Sequence, residues 1–122
     1  QYYPVKRTIR LCITDFGVGI LSTLRKKYSI TSDIDAIKLA VQEGITSRPQ
    51  SAGFGLTNIR NFLKVNEGTL TIISGKDKVN FYCNKIESYN MTKGFEGTIV
   101  NLKINADKES FYFLTSEEEY LF

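Results

Sequence analysis

The order of the segments along the chain is the feature that most limits its fold. A strand-like segment over 8–14 comes first, and Ile9, Leu11 and Ile13 alternate there with more polar residues, which predicts one buried face. Three helical segments follow, and then three strand-like segments. Consecutive strands joined by short turns pair antiparallel, and the helices before them cover one face of the sheet. The sequence therefore predicts an α+β fold: a two-layer α/β sandwich with a mixed, mostly antiparallel sheet and helices on one face.

Local signals give the bounds of the three predicted helices. The first is short and covers 21–28. The second covers 33–43 and begins after Ser32, a residue that suits an N-cap, with acidic residues in the first turn. The third begins at Gly53 and ends before Gly68. Each helix carries one apolar stripe, so each is expected to pack on the sheet.

The last three predicted strands cover 69–74, 78–84 and 97–104. A turn of sequence Gly75-Lys76-Asp77 separates the first two strands, which is typical of a hairpin. No internal repeat or domain boundary interrupts the chain. The 122 residues are therefore predicted to form one domain, with its core over 8–105 and a C-terminal extension over 106–122.

Composition excludes several functional classes. The chain has no histidine, which removes Ser-His triads, histidine metal sites and a phosphoacceptor histidine. A net charge of +3 without a concentrated basic run indicates no nucleic-acid binding. No apolar run reaches the ~18 residues of a membrane span, and no signal peptide is evident, so a cytoplasmic location is predicted. Cys12 and Cys83 are expected to be reduced thiols in the core rather than zinc ligands, with a disulfide between them as the alternative.

A carboxylate and two glycines follow the first predicted strand. The pattern is Asp15-x-Gly17-x-Gly19, and glycines so close together let a flat ligand approach the main chain. A buried carboxylate at the end of a strand needs donors, and an exocyclic amino group such as that of adenine supplies one. A hydrogen bond to a charged acceptor contributes about 1.5–3 kcal/mol. The alternative is an Asx-type turn that only changes the direction of the chain.

A second glycine pair opens the third predicted helix. Gly53-Phe54-Gly55-Leu56 follows a flexible loop over 45–52, and the free amides of a helix N-terminus attract phosphate. The alternative is a plain junction between a loop and a helix. Taken together, a carboxylate that reads a base and a loop that grips phosphate fit a nucleotide. The chain lacks the GxxxxGK[ST] pattern of P-loop enzymes, and its glycines are in the wrong order for a Rossmann fold.

Four blocks of sequence, in a fixed order between residues 9 and 104, carry a family resemblance. They are Ile-Thr-Asp-Phe-Gly-Val-Gly-Ile (13–20), Gly-Phe-Gly-Leu-Thr-Asn-Ile (53–59), Glu-Gly-Thr-Leu-Thr-Ile-Ile-Ser-Gly (67–75) and Gly-Thr-Ile-Val (97–100). In this order they resemble the motifs of the Bergerat-fold ATPases, the superfamily that contains gyrase, heat-shock chaperone, histidine-kinase and mismatch-repair ATPases (GHKL).

The resemblance implies a role for each matching residue. Asp15 would accept a hydrogen bond from the adenine amino group, and Thr98 would lie beside the same adenine-bound water. The loop over 45–52 would be a mobile lid over the phosphates. The remaining residues of the implied nucleotide site are Gly17, Gly19 and Ile20 at the adenine and Gly53, Phe54, Gly55 and Leu56 at the phosphates.

The function that the resemblance implies is an ATP-binding domain that couples ATP binding or phosphotransfer to a partner, either another protein domain or a second copy. The family carries its Mg²⁺ ligand, an asparagine, on a helix before the first strand. Only fourteen residues precede Asp15, so we expect a C-terminal portion of the domain, with no metal ligand of its own and no activity alone. An ATPase and a kinase-type domain both stay open. The alternative function is a degenerate, non-hydrolysing protein-interaction module that has lost nucleotide binding.

Overall fold

A computed structural model describes residues 1–3, 7–42 and 55–106 of the chain. This part of the chain is α+β, with four strands in one antiparallel sheet and three helices, an arrangement compatible with a two-layer α/β sandwich. The helices pack on the last two strands. The elements in chain order are β1 (Tyr2–Tyr3), β2 (Thr8–Asp15), α1 (Gly19–Leu24), α2 (Asp33–Ala40), α3 (Gly55–Asn66), β3 (Thr69–Phe81) and β4 (Ile86–Asn105).

The strands follow the spatial order β1-β2-β4-β3. The last strand in sequence therefore lies between β2 and β3, and Leu102 of β4 is paired with Leu11 on one side and with Leu70 on the other. Directly paired residues share a face of the sheet. We call the face that carries these leucines the inner face, and the opposite face the outer face.

The long strand β3 folds back on itself. Thr71 Oγ1 donates a hydrogen bond of 2.7 Å to Asn80 Oδ1, although nine residues of straight strand would span about 30 Å. The reversal lies near Gly75, whose φ is +63°. This is the turn that the sequence predicts there. Strand β4 bends with it, because its residues 86–90 pair with 77–81 of β3 and its residues 98–103 pair with 69–74.

The core forms where the helices meet the inner face of the folded β3. Every second residue is buried in each half of β3, at 70, 72 and 74 before the turn and at 77, 79 and 81 after it. Ile37 of α2 and Leu63 of α3 belong to the same cluster. Each such side chain contributes about 1.5–3 kcal/mol when it is fully buried. The strand residues of the cluster are Leu70, Ile72, Val79, Phe81 and Leu102.

The first predicted strand, β2, is expected to have one buried face, and the structure corrects this prediction. Leu11 and Ile13 point to the inner face, yet 46% of Leu11 and 57% of Ile13 are exposed. The reason is lateral position: the helices pack on β3 and β4, and β2 lies beyond the sheet area that the described helices cover. The alternation identified the strand correctly but did not reveal whether its apolar side is covered.

The cysteines also differ from the prediction. Cys12 and Cys83 are both free thiols, and both are exposed rather than in the core. Cys12 lies on the outer face of β2, where none of the three helices packs, and Cys83 lies in the short connection between β3 and β4. Strand-like surroundings alone do not bury a cysteine when one face of the sheet is open.

Several element bounds differ from those predicted, and the two strands predicted over 69–74 and 78–84 form the single element β3, which ends at Phe81. The first helix covers Gly19–Leu24 and not 21–28, because the basic residues after Leu24 form a turn. The second ends at Ala40, whereas the prediction extended it to 43. Strand β4 begins at Ile86, eleven residues earlier than predicted, since its first half is largely exposed and carries no apolar alternation. The loop over 45–52 and the extension beyond Ala106 lie outside the described residues.

Candidate functional site

Asp15 stands at the end of β2 in a row of polar side chains on the inner face. The row continues to Thr98 of β4, its direct partner, and then to Ser74 of β3, the partner of Thr98 on the other side. Apolar residues occupy the rows before it on the same face, such as Ile13 opposite Val100. The polar row therefore marks the point where the apolar inner face of the sheet ends.

The two oxygens of the Asp15 carboxylate have different surroundings. Oδ1 accepts a hydrogen bond of 2.8 Å from the Gly17 amide, which is the Asx-type turn considered as the alternative role. Within the described part of the chain, no group donates a hydrogen bond to Oδ2, and Asp15 is exposed. The turn therefore fixes the orientation of the carboxylate and leaves one oxygen for a ligand, so both roles are compatible.

Gly19 allows the first turn of α1 to dock on the sheet. Its φ is +85°, in the region that favours glycine, and a Cβ at this position would lie 3.2 Å from Ser74 Oγ. The next amide, that of Ile20, donates a hydrogen bond of 2.9 Å to the same oxygen. Ser74 is thus a positioning residue that sequence analysis missed, although its alternation with Leu70 and Ile72 places it on the inner face.

Asp15, Gly19 and Ile20 line one hollow of about 560 Å³ between the end of β2, the second half of β4 and the helices. Gly53 and Phe54 of the predicted set lie outside the described residues. The predicted residues that the hollow brings together are Asp15, Gly17, Gly19, Ile20, Gly55, Leu56 and Thr98. The lining residues that were not predicted are Ile13, Val18, Thr23, Leu24, Ala40 and Val100.

Periodicity could have identified several of the missed residues. Ile13 precedes Asp15 by two positions and Val100 follows Thr98 by two, so each shares a strand face with a predicted residue. Thr23 lies one helical turn after Gly19, and its hydroxyl donates a hydrogen bond of 2.8 Å to the Gly19 carbonyl.

A polar acceptor and the start of a helix both line the hollow. Asp15 Oδ2 supplies the acceptor, and α3 begins at Gly55. The first amides of a helix have no partners within the helix and carry a partial positive charge. A Cβ at Gly55 would meet no described atom within 4 Å, so the described part of the chain leaves room for a ligand there. The volume lies in the range of small-molecule sites, about 300–1,000 Å³.

Other kinds of site find less support in the described residues. Within residues 1–3, 7–42 and 55–106, no group of three Asp, Glu or Cys side chains is placed to hold a metal ion. No helix in those ranges is both long enough and apolar enough to cross a membrane.

In comparisons with known proteins, no protein-family model, no curated protein and no solved structure matches the chain.

Proposed function

We propose that the chain binds ATP in the hollow between β2, α1 and α3, and that its fold is that of the Bergerat-type ATPases. The observation that supports this proposal is that Asp15 Oδ2 and the Gly55 end of α3 line the same hollow. One is an acceptor suited to the amino group of a base, and the other is suited to phosphate. A ligand that carries both groups, an adenine nucleotide, matches them together.

At the base end, the chain's own residues would hold the adenine by one polar and several apolar contacts. Asp15 Oδ2 would accept a hydrogen bond from the 6-amino group. Ile13, Val100 and Leu56 line the same hollow and offer apolar surface to the ring. Thr98, the direct partner of Asp15, places a hydroxyl beside the carboxylate for an ordered water. Because Oδ1 is held by Gly17, the carboxylate does not need to reorient on binding.

At the other end, the amides of the first turn of α3 would receive the phosphates. Gly55 leaves room for the oxygens to approach the main chain, since no described atom lies near its missing Cβ. Among the described residues we assign no ligand for the Mg²⁺ that accompanies ATP, because none of them form a suitable cluster. In this proposal the bound nucleotide drives phosphotransfer or a conformational change in a partner domain.

The test is the variant Asp15→Asn, titrated calorimetrically with ATP and with ITP. Asparagine keeps an oxygen for the Gly17 amide, but it replaces the second oxygen with a donor. We expect ATP to bind the variant about tenfold or more weakly, because a hydrogen bond to a charged acceptor is lost. ITP carries an oxygen where ATP has the amino group. The substitution should therefore weaken the binding of ITP less than that of ATP, or strengthen it.

The matched control is Asp35→Asn, which makes the same change in net charge at an exposed position of α2 outside the hollow. It should leave the affinity for ATP unchanged. Equal affinity of the wild type and Asp15→Asn for ATP would remove the role of Asp15 as base reader.

A second candidate function is a protein-interaction module that does not hydrolyse ATP. The observation that favours it is apolar surface at the hollow, where 74% of the lining residue Val18 and 81% of the nearby Phe16 are exposed. Large exposed apolar patches mark interaction sites in monomeric proteins. A wild-type chain that binds no adenine nucleotide at millimolar concentration would leave this candidate as the better one.

A further inference from the structure

A second hollow, of about 650 Å³, lies on the outer face of the sheet and is separate from the proposed ATP site. Its floor is formed by β2, β4 and the first half of β3. Tyr3 of β1 stands at one side and Tyr82, just after β3, at the other. The buried residues of β3 face the three helices. Thr71 and its outward neighbours alternate with them and therefore point to the opposite face, where none of these helices packs.

Two positive side chains are direct neighbours on this floor. Arg10 of β2 is paired with Lys103 of β4, and both line the hollow. Directly opposed residues of an antiparallel pair have Cβ atoms about 4.5–5.5 Å apart, and like charges so placed repel each other. No Asp or Glu lines the hollow, and neither cation forms an ion pair with a residue in the described ranges. Among the described residues, this pair of positive charges therefore has no counter-ion.

Among the described residues, Glu87 is the acidic residue that strand pairing places on this face, and other side chains already contact its carboxylate. Glu87 is paired with Asn80, which places it on the outer face. It accepts a hydrogen bond of 2.7 Å from Tyr89 and lies 3.3 Å from the Lys85 ammonium. The Tyr89 hydrogen bond, followed by that from Lys85, holds the pKa of Glu87 below its ordinary value. Glu87 is thus not a counter-ion for Arg10 and Lys103.

Further polar groups are in place around the pair. The Asn101 side chain lines the same hollow and forms no hydrogen bond with another described residue. The Thr71 hydroxyl already donates its proton to Asn80 Oδ1, so among the neutral side chains Asn101 is the better donor for an anion. The Arg10 guanidinium lies 5.8 Å from the centroid of the Tyr3 ring, a cation–π contact that restrains it at the edge of the hollow.

We propose that this outer hollow binds the phosphate of a small phosphomonoester. A phosphomonoester carries a charge of about −1.5 to −2 at pH 7, which matches two adjacent cations, whereas each phosphate of a nucleic-acid backbone carries a single charge. Arg10 offers a planar fork of donors to two phosphate oxygens, and Lys103 supplies a point charge beside it. The volume suits a small molecule.

The experiment titrates the full chain with methyl phosphate at constant ionic strength and pH 7.5, and follows backbone amide shifts by NMR. We expect saturable shifts at residues 10, 12, 101 and 103. The variants Arg10→Gln and Lys103→Gln should each bind about tenfold more weakly. Each removes one of two repelling charges, so neither should unfold the chain. The matched control, Lys26→Gln, alters an exposed cation in the turn after α1 and should bind as the wild type does.

Two further arms test the charge of the ligand. Dimethyl phosphate, a monoanion that represents a phosphodiester, should bind several-fold more weakly than methyl phosphate. Affinity for methyl phosphate should also fall as pH drops below about 6, where its second ionisation is lost. Equal binding of the two phosphates, or equal losses in Lys103→Gln and Lys26→Gln, would overturn the proposal. Neither result bears on ATP binding, which depends on Asp15 on the other face.

Discussion

At the scale of single residues, the position of Asp15 depends on a glycine in the neighbouring strand. Gly97 precedes Thr98, the partner of Asp15, and has a φ of +125°. A Cβ at this position would collide with the Asp15 carbonyl oxygen and would lie 2.9 Å from the Phe16 Cα. The main chain at Gly97 therefore lies so close to Asp15 and Phe16 that a residue with a Cβ does not fit without displacing them.

We expect Gly97→Ala to destabilise the fold by about 1–3 kcal/mol, since alanine is strained at this φ and its Cβ meets main-chain atoms that cannot rotate away. Urea denaturation followed by circular dichroism measures the change. The control is Gly55→Ala, where the Cβ has open space and no positive φ is required. Alanine there should leave stability unchanged or raise it by up to about 1 kcal/mol. A Gly97→Ala chain as stable as the Gly55→Ala chain would contradict the argument.

At the scale of elements, the start of α2 and the hairpin turn of β3 hold each other in place. Ser32 caps the helix by accepting a hydrogen bond of 3.0 Å from the Asp35 amide. Asp77 of the turn accepts one of 3.0 Å from the Ile34 amide, and Asp33 of the helix accepts one of 3.1 Å from the Lys76 amide. Free amides of one element are thus satisfied by carboxylates of the other.

These contacts predict unequal losses on truncation. Asp77→Ala should cost about 1.5–3 kcal/mol, because a buried charged acceptor of a helix amide is lost. Ser32→Ala should cost about 1 kcal/mol, the usual value for an N-cap. Denaturation midpoints in urea, with slopes compared to confirm that both variants unfold alike, give the two values. A smaller loss for Asp77→Ala than for Ser32→Ala would show that the contact between the two elements adds little stability.

At the scale of the whole molecule, the sheet is wider than the helices that cover it. The inner face of β3 is buried, whereas Leu11 and Ile13 at the β2 end of the same face are exposed. An apolar strip beside a packed core is the kind of surface that associates. We therefore expect two copies of this chain to associate through the inner face of β2.

Light scattering across a range of concentrations tests this expectation. The wild type should approach twice the monomer mass, and Leu11→Lys should remain a monomer because a charge is placed in the apolar strip. Thr14→Lys adds the same charge to the outer face of the same strand and should still associate. A wild-type chain that stays monomeric at the highest concentration would count against association through β2.

The parts of the site that could be predicted from the sequence are those whose residues are close together in the chain. Asp15, Gly17 and Gly19 form a turn that depends only on local backbone preferences, and Oδ1 of Asp15 closes it within two residues. The reversal at Gly75 is equally local. Residues such as Ser74 joined the site through contacts more than fifty positions apart, which no local pattern contains.

By itself the sequence determined the α+β class, the starts of β2 and α2 and the turn in β3, because these depend on side-chain period, capping and glycine backbone freedom. Only the tertiary structure decided that β4 inserts between β2 and β3, that the described helices leave β2 uncovered, and that Arg10 meets Lys103 on the outer face. The physical reason is that the alternation of a strand separates its two faces, whereas burial of a face depends on how far the packed helices extend across the sheet.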